Sequence, residues 1–260
     1  MSDPIVIKIG GALVDQPDVL DAFWTSVAEL QQTHPVVVVH GGGPQITDVA
    51  HRLGHEPTIV HGRRVTTDLD LDIVQWTLRG QLNAQLVAQA STHGLLAIGL
   101  SGADGGVLRV TKRPPWTIDG QQVDFGWVGD VQRVNTHVLT HLLDAGFLPV
   151  VAPLGLDDAG QLYNVNADTV AHALAEALGA EQLLLVTETG GLKRCADEPA
   201  SHLHECDAAT FEEGTATGWI YGGMRVKLHV AFEALRSGIG EVFICAPDDV
   251  LARAYATRVV

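Results

Sequence analysis

Lysine is scarce in this 260-residue chain: it stands only at Lys8, Lys112, Lys193 and Lys227, and the formal charge is −15. Such a surface repels nucleic acid and anionic membranes, which both bind proteins through cations placed on phosphates. Neither is expected as a partner. Cysteine is almost as sparse. Cys195, Cys206 and Cys245 are odd in number and widely spaced, which fits a reducing compartment better than a disulfide framework. No apolar run approaches the roughly 20 residues of a membrane span. Met1-Ser2-Asp3-Pro4 runs straight into an apolar segment and leaves no room for a signal peptide. A cytoplasmic location is therefore expected. Apolar residues make up 46%, enough for one large α/β domain or two closely packed lobes.

Against this background two glycine-rich turns stand out. Ile5-Val6-Ile7-Lys8-Ile9 leads into Gly10-Gly11, and Val36-Val37-Val38-Val39-His40 leads into Gly41-Gly42-Gly43. Each β-branched run fits a strand buried on both faces. Glycine lets the backbone turn sharply and bring bare N–H groups to a ligand. A helical pattern follows each turn, so helix N-terminal amides face the same space. Lys8 adds a full charge. Together these features predict a phosphate site built from two loops.

Further apolar runs at 95–100, 147–152, 182–187 and 242–245 alternate with helical patterns. Alternation of this kind predicts a mainly parallel sheet with helices on both faces. Pro17 suits a first helical turn, with Asp15 as its cap. Thr67 and Asp70 form a capping-box pattern. Residues 168–178 read as a helix ended by Gly179, and 224–237 as one ended by Gly238. Asp119-Gly120 marks a hairpin within 106–128, expected to be a small antiparallel flap. The polar stretch 193–218 reads as surface loops. A soft lobe boundary is placed near residue 170.

Three other motifs carry chemistry. Asn164 and Asn166 alternate before Asp168, so both amides face one side of an extended chain; Asp168 reads either as a helix cap or as a partner for cations. Lys227 lies in the first turn after Gly222-Gly223, where a helix dipole disfavours a cation unless an anion sits between. Arg63-Arg64-Val65-Thr66 follows Gly62, and an arginine there suits a carboxylate. Competing motifs fall short. Gly99-Leu100-Ser101-Gly102-Ala103 ends in alanine where a nucleophile elbow needs glycine. Ile46 occupies the third glycine position of a dinucleotide fingerprint, and a Walker A loop is absent. His137 and His141, His51 and His55, and His202, His204 and Cys206 lack a third or fourth ligand at a familiar spacing, so no structural zinc is expected.

In this order the motifs resemble the amino-acid kinase family, over a stretch from Ile5 to about Ala246. The carriers are Ile7–Gly11, His40–Gly43, Gly62–Thr66, Asn164–Asp168 and Gly222–Lys227, with Leu100–Gly105 as a further match. Arg-x-Thr and Asn-Val-Asn-Ala-Asp point to the family's acetylglutamate branch. The resemblance implies a three-layer αβα sandwich with a mainly parallel central sheet. Residues 1–170 would hold the acyl amino acid and form a homodimer; residues 171–260 would hold ATP. The γ-phosphoryl group of ATP, which brings its own Mg2+, would move to the side-chain carboxylate of N-acetyl-L-glutamate, a step of arginine biosynthesis. It implies catalytic roles for Lys8, Lys227 and Asp168, and phosphate contacts from Gly10, Gly11, Gly42 and Gly43. Gly42, Gly43, Arg64, Asn164 and Asn166 would bind the acyl amino acid. Thr187, Glu188, Gly190, Gly191, Tyr221 and Gly223 would meet the nucleotide.

The chain departs from the family pattern in places. Glu188 stands where aspartate is usual, Ala84 where lysine often follows the asparagine aligned with Asn83, and Thr67 directly after the Arg-x-Thr motif. N-succinyl-L-glutamate and carrier-linked aminoadipate are the alternative acceptors, and a catalytically silent sensor is the remote alternative. Arginine-inhibited members carry an extra N-terminal helix; with only Met1–Pro4 before the first strand, no arginine feedback is expected.

Overall fold

The computed structural model describes residues 2–118, 120–195 and 198–260. In chain order its elements begin with β1 (Ile5–Ile9), α1 (Gly11–Val14), α2 (Pro17–Leu30), β2 (Val36–His40) and α3 (Gly43–Arg52). A ribbon of β3 (Ile59–Val60) and β4 (Arg63–Arg64) precedes one long helical rod, made of α4 (Asp68–Val74), a π-helical segment (Gln75–Leu82) and α5 (Asn83–Thr92). Next come β5 (Ala97–Ser101), β6 (Leu108–Lys112), β7 (Trp116–Ile118), β8 (Gln121–Val123), β9 (Gly129–Val134) and α6 (His137–Asp144). The chain continues through β10 (Leu148–Ala152), β11 (Leu154–Leu156), β12 (Leu162–Asn164), α7 (Ala167–Leu178) and β13 (Gln182–Val186). It closes with β14 (Glu205–Cys206), α8 (Ala208–Thr217), α9 (Gly222–Arg236), β15 (Glu241–Cys245) and β16 (Thr257–Val259).

The main sheet has the order β14-β16-β15-β13-β1-β2-β10-β5. All its pairs are parallel except β15 with β16. Period-2 alternation divides its side chains between two cores. Ile5, Ile7, Ile9, Val36 and Val38 face one core with Phe23, Trp24 and the helical rod. Val6, Val37 and Val39 face the other, with Val170, Leu174, Leu228 and Phe232 of α7 and α9. Helices thus cover both faces of the sheet, in three layers. Lys8 follows the parity of Val6 and emerges beneath α7. β13 and β1 sit side by side at the centre, β1 connecting on towards β2 and β13 towards β15, in opposite directions. Their carboxyl ends form the crevice in which open α/β sheets bind ligands.

Every expected strand of this sheet forms within two residues of its expected bounds. The Thr67–Asp70 capping box is present, Gly179 ends α7 in the left-handed conformation, and Gly238 follows the end of α9 with a φ of 97°. The expected lobe boundary near residue 170 falls inside α7, which packs on β1 and β2 as well as on β13 and α9. Among the described residues no helix is long and apolar enough to cross a membrane.

Three expectations are corrected. Asp15 does not cap α2; Gln16 precedes Pro17 there without a side-chain bond, and Asp15 instead accepts from Gln45 Nε2 at 2.6 Å. The stretch 106–128 is more than a flap. β7 and β8 pair as the expected hairpin, with Asp119 of its turn outside the described residues, but β6 joins β9, β11 and β12 in a second sheet. The stretch 193–218 holds α8, capped by Asp207 on Thr210 N–H and ended by Gly218. Its threonines and Gly214 give no apolar period to detect.

Candidate functional site

The two glycine turns meet. A β-carbon added to Gly11 would lie 2.7 Å from both the Cα and the N of Gly42. Only bare backbone fits at that approach. Gly42 is equally confined, because its β-carbon would strike Leu78 and Leu82 of the π-helical segment. Gly43 has open space on that side. Gly11 and Gly43 open α1 and α3, so their N–H groups have no intrahelical acceptor. Gln45 Nε2 ties the turns together through Gly11 O at 2.8 Å.

His40 braces the second turn from below. It is fully buried, and its Nδ1 lies 3.0 Å from Gly41 O while its Nε2 lies 3.1 Å from Asn83 Nδ2. The carbonyl needs a donor and the amide offers one, so the ring is neutral, with its proton on Nδ1. Burial pushes its pKa down to about 4, against a smaller upward pull from Gly41.

Asp168 stands at the centre. Lys8 Nζ lies 2.9 Å from its Oδ1, and Lys227 Nζ lies 3.8 Å from its Oδ2. The side chains of Lys8 and Asp168 are each only 7% exposed. The cap of α7 is Asn166, which accepts from Thr169 N–H at 3.0 Å. Asp168 is therefore free for the lysines, which settles its two sequence readings. Burial alone would raise the Asp168 pKa; the charges of Lys8 and Lys227, with Arg63 farther off, outweigh it and hold the carboxyl below its usual range. Burial lowers the pKa of Lys227, and Asp168 only partly restores it. Two ammonium groups on one carboxylate leave a surplus positive charge in a poorly solvated place. That arrangement calls for an anion.

A cleft of about 250 Å³ opens here, lined by Lys8, Gly11, Gly42, Gly43, Asn164 and Asp168, with Asn166, Arg63 and Arg64 at its margin. Arg64 Nη2 donates to Thr47 Oγ1 at 2.7 Å, and its Nη1 lies 3.8 Å from Asp70. That Nη1 is buried beside Asp70 without a hydrogen bond to any described residue. Asp70 thus caps α4 and steadies Arg64. Asn164 Nδ2 donates to Thr66 Oγ1 at 3.2 Å.

The residues expected at the nucleotide lie beyond the end of β13 and at the start of α9. Thr187 Oγ1 donates to Gly190 O at 2.7 Å, and Gly190 and Gly191 are buried in the turn. Glu188 is exposed and accepts from Gln16 Nε2 at 3.2 Å. Tyr221 is 71% exposed, and Gly223 follows it in the first turn of α9. Sequence reasoning gives no role to Gln45 or the π-helical segment. The capping-box motif marks Asp70 but not its contact with Arg64.

Comparison with known proteins agrees with this geometry. The amino acid kinase family profile matches residues 3–246. An acetylglutamate kinase of Methanopyrus kandleri is 42% identical over 246 residues, covering 95% of this chain and 96% of the relative. One from Symbiobacterium thermophilum is 41% identical over 243 residues, covering 92% of this chain and 83% of the relative. The crystal structure of smu.665 from Streptococcus mutans UA159 superposes with a TM-score of 0.80 at 28% identity, covering 94% of this chain and 95% of the other. With paired glycine turns, two lysines on one buried aspartate and a family match over nearly its whole length, the chain belongs to the amino acid kinase family.

Proposed function

We propose that this chain transfers the γ-phosphoryl group of ATP to the side-chain carboxylate of N-acetyl-L-glutamate, giving an acyl phosphate for arginine biosynthesis. The observation that carries the reading is the convergence of Lys8 and Lys227 on Asp168 beside Gly11 and Gly42. It is supported by full-length relatives named acetylglutamate kinase at about 40% identity.

The chemistry follows from charge. A carboxylate is already a nucleophile, so no strong base is required. The obstacle is bringing two anions together and holding charge on the moving group. In this reading Lys8 and Lys227 flank that group, Asp168 fixes both lysines, and the turns Gly10-Gly11 and Gly42-Gly43 offer N–H groups to its oxygens. Arg64 takes the α-carboxylate, and Asn164 and Asn166 border the amide end. Residues 1–170 thus serve the acceptor and 171–260 the nucleotide. Tyr221 and Glu188 present side chains to ATP, while Thr187, Gly190, Gly191 and Gly223 shape the backbone behind it. Asp168 already carries two ammonium groups, which leaves Mg2+ to be held by the nucleotide's own phosphate oxygens. A cytoplasmic location belongs to the same reading.

We also assign a homodimer. β5 is an unpaired sheet edge, flanked by exposed Leu96 and Trp76; unpaired edges of this kind invite a second copy. The test of function is a hydroxylamine-trapped kinase assay across N-acetylglutamate, N-succinylglutamate, aspartate and free glutamate. Trapping with N-acetylglutamate far above the others is expected; its absence with every acceptor would overturn the reading.

A further inference from the structure

Arg63 and Arg64 are adjacent on β4 but lead to different neighbours. Arg64 turns to α3 and α4. Arg63 turns to the β7–β8 hairpin, where its Cζ lies 4.9 Å from the centre of the Trp116 ring. Arg113 occupies the same indole, with its Cζ 4.6 Å from the centre. Two guanidinium groups on one ring repel each other, and their environments differ. Arg113 is neutralised by Asp130, whose Oδ1 accepts from Nε at 2.9 Å and from Nη2 at 2.6 Å. No carboxylate of the described residues lies within ion-pair distance of Arg63, and it donates no hydrogen bond to any of them.

Arg63 sits where two spaces meet. It borders the cleft that holds Lys8, Gly11 and Asp168, and also a wider groove of about 1020 Å³ running past Gly222 and Arg225 of α9. Burial lowers its pKa and Arg113 lowers it further; Asp130 and Asp168 pull the other way. It is therefore near enough to the Lys8–Asp168–Lys227 centre to feel its charge. A half-desolvated cation beside a like charge is costly unless an anion joins it. In a chain of net charge −15 the arrangement is unlike the ordinary surface. Trp116 supplies a flat platform that holds the guanidinium plane without consuming its donors.

We propose that Arg63, held on Trp116, is a further catalytic residue: its guanidinium contacts the phosphoryl group in flight on the side away from the glycine turns. The inference deepens the phosphotransfer reading and rests on it. Its donors would be engaged most fully when charge spreads over the equatorial oxygens.

The test uses the full chain carrying Arg63→Leu, with Arg63→Lys beside it. Turnover on N-acetylglutamate, affinity for MgADP, and affinity for MgADP with aluminium fluoride are measured. For Arg63→Leu, kcat should fall about 100-fold, the size seen when one transition-state donor is removed. The acceptor KM and MgADP affinity should stay within about threefold, and aluminium fluoride should no longer tighten nucleotide binding. Arg63→Lys should show the same split in reduced form, since it keeps the charge and loses the fork. A kcat within threefold of the parent overturns the proposal. So does a parallel loss of MgADP and aluminium fluoride complexes, which marks a merely structural role. If Arg63→Leu does not fold, Arg63→Lys decides by the same two criteria. The aluminium fluoride measurement needs only nucleotide, so it remains readable if the parent protein rejects N-acetylglutamate and the functional reading itself fails.

Discussion

Two adjacent parallel strands of the sheet are each followed by a glycine pair, and the pairs do opposite things. After β1, Gly10-Gly11 opens a helix and leaves Gly11 against Gly42 at the cleft. After β13, Gly190-Gly191 curls into a turn instead. Gly190 adopts a φ of 71°, and a β-carbon on Gly191 would lie 2.5 Å from His202 Nε2 and 2.7 Å from Tyr255 O. The first pair is small so that something outside the chain can approach. The second is small so that the chain can pack on itself. The segment after each pair decides between these outcomes: a helix start beyond β1, an irregular stretch crossed by His202 and Thr257 beyond β13.

The sharpest way to break this comparison is to remove the charge beside the first pair. Lys8→Ala should lower kcat about 1000-fold, at the upper end for loss of one preorganised group, with the acceptor KM changed only a few-fold. Steady-state kinetics check it, and a variant with near-normal kcat would place the chemistry elsewhere. Next, alanine at each glycine pair should separate turnover from stability. Gly11→Ala should cost about 100-fold in kcat, because the added carbon would lie 2.7 Å from the backbone of Gly42, with Gln45 Oε1 next at 3.1 Å, and pushes the two turns apart. Gly191→Ala should cost about 1–3 kcal/mol of stability by overpacking, with kcat per folded enzyme within threefold. Thermal unfolding beside kinetics reads both. If the two substitutions exchange their effects, the contrast between the pairs is wrong.

The same contrast explains what the sequence can reveal. Strands are legible because Val36–Val39 and Leu183–Val186 are apolar at every position, as burial on both faces requires. Lys8 and Lys227 stand out because each breaks a local rule, a charge in an apolar strand and a cation at a helix start, whereas Asp168 reads as an ordinary helix cap until the fold gives that place to Asn166. The hidden features depend on packing between distant segments. The π-helical segment continues the apolar period of α4, so periodicity alone cannot separate them. Gln45 and Arg63 are ordinary polar residues until the fold brings Gly11 to one and Trp116 to the other. The second sheet escapes sequence reading because β11 and β12 are only three residues each.

His40 gives a smaller effect, on stability. Its folded pKa of about 4 lies below the ordinary value near 6.5. Between those values the unfolded chain binds a proton that the folded chain excludes. Stability from this group is therefore complete above about pH 6.5 and is lost as pH falls towards 4. The loss should be about 3 kcal/mol, at 1.36 kcal/mol per pKa unit. Denaturant unfolding at pH 7 and pH 4.5 checks it, and His40→Asn, which keeps a donor for Gly41 but cannot titrate, should flatten the slope across that window.

The mildest effect concerns Lys227. Burial, with Lys8 nearby, places its pKa below that of a free lysine despite the pull of Asp168. The protonated form is the one that can hold a phosphoryl oxygen, so activity should fall as pH rises through that lowered value. The alkaline limb of the kcat/KM profile should therefore lie below the ordinary lysine range near 10.5. Lys227→Arg keeps the charge at any accessible pH, because guanidinium does not titrate there. In that variant the limb should move upward even if the overall rate drops. An unmoved limb in Lys227→Arg would show that the helix-start lysine does not set it.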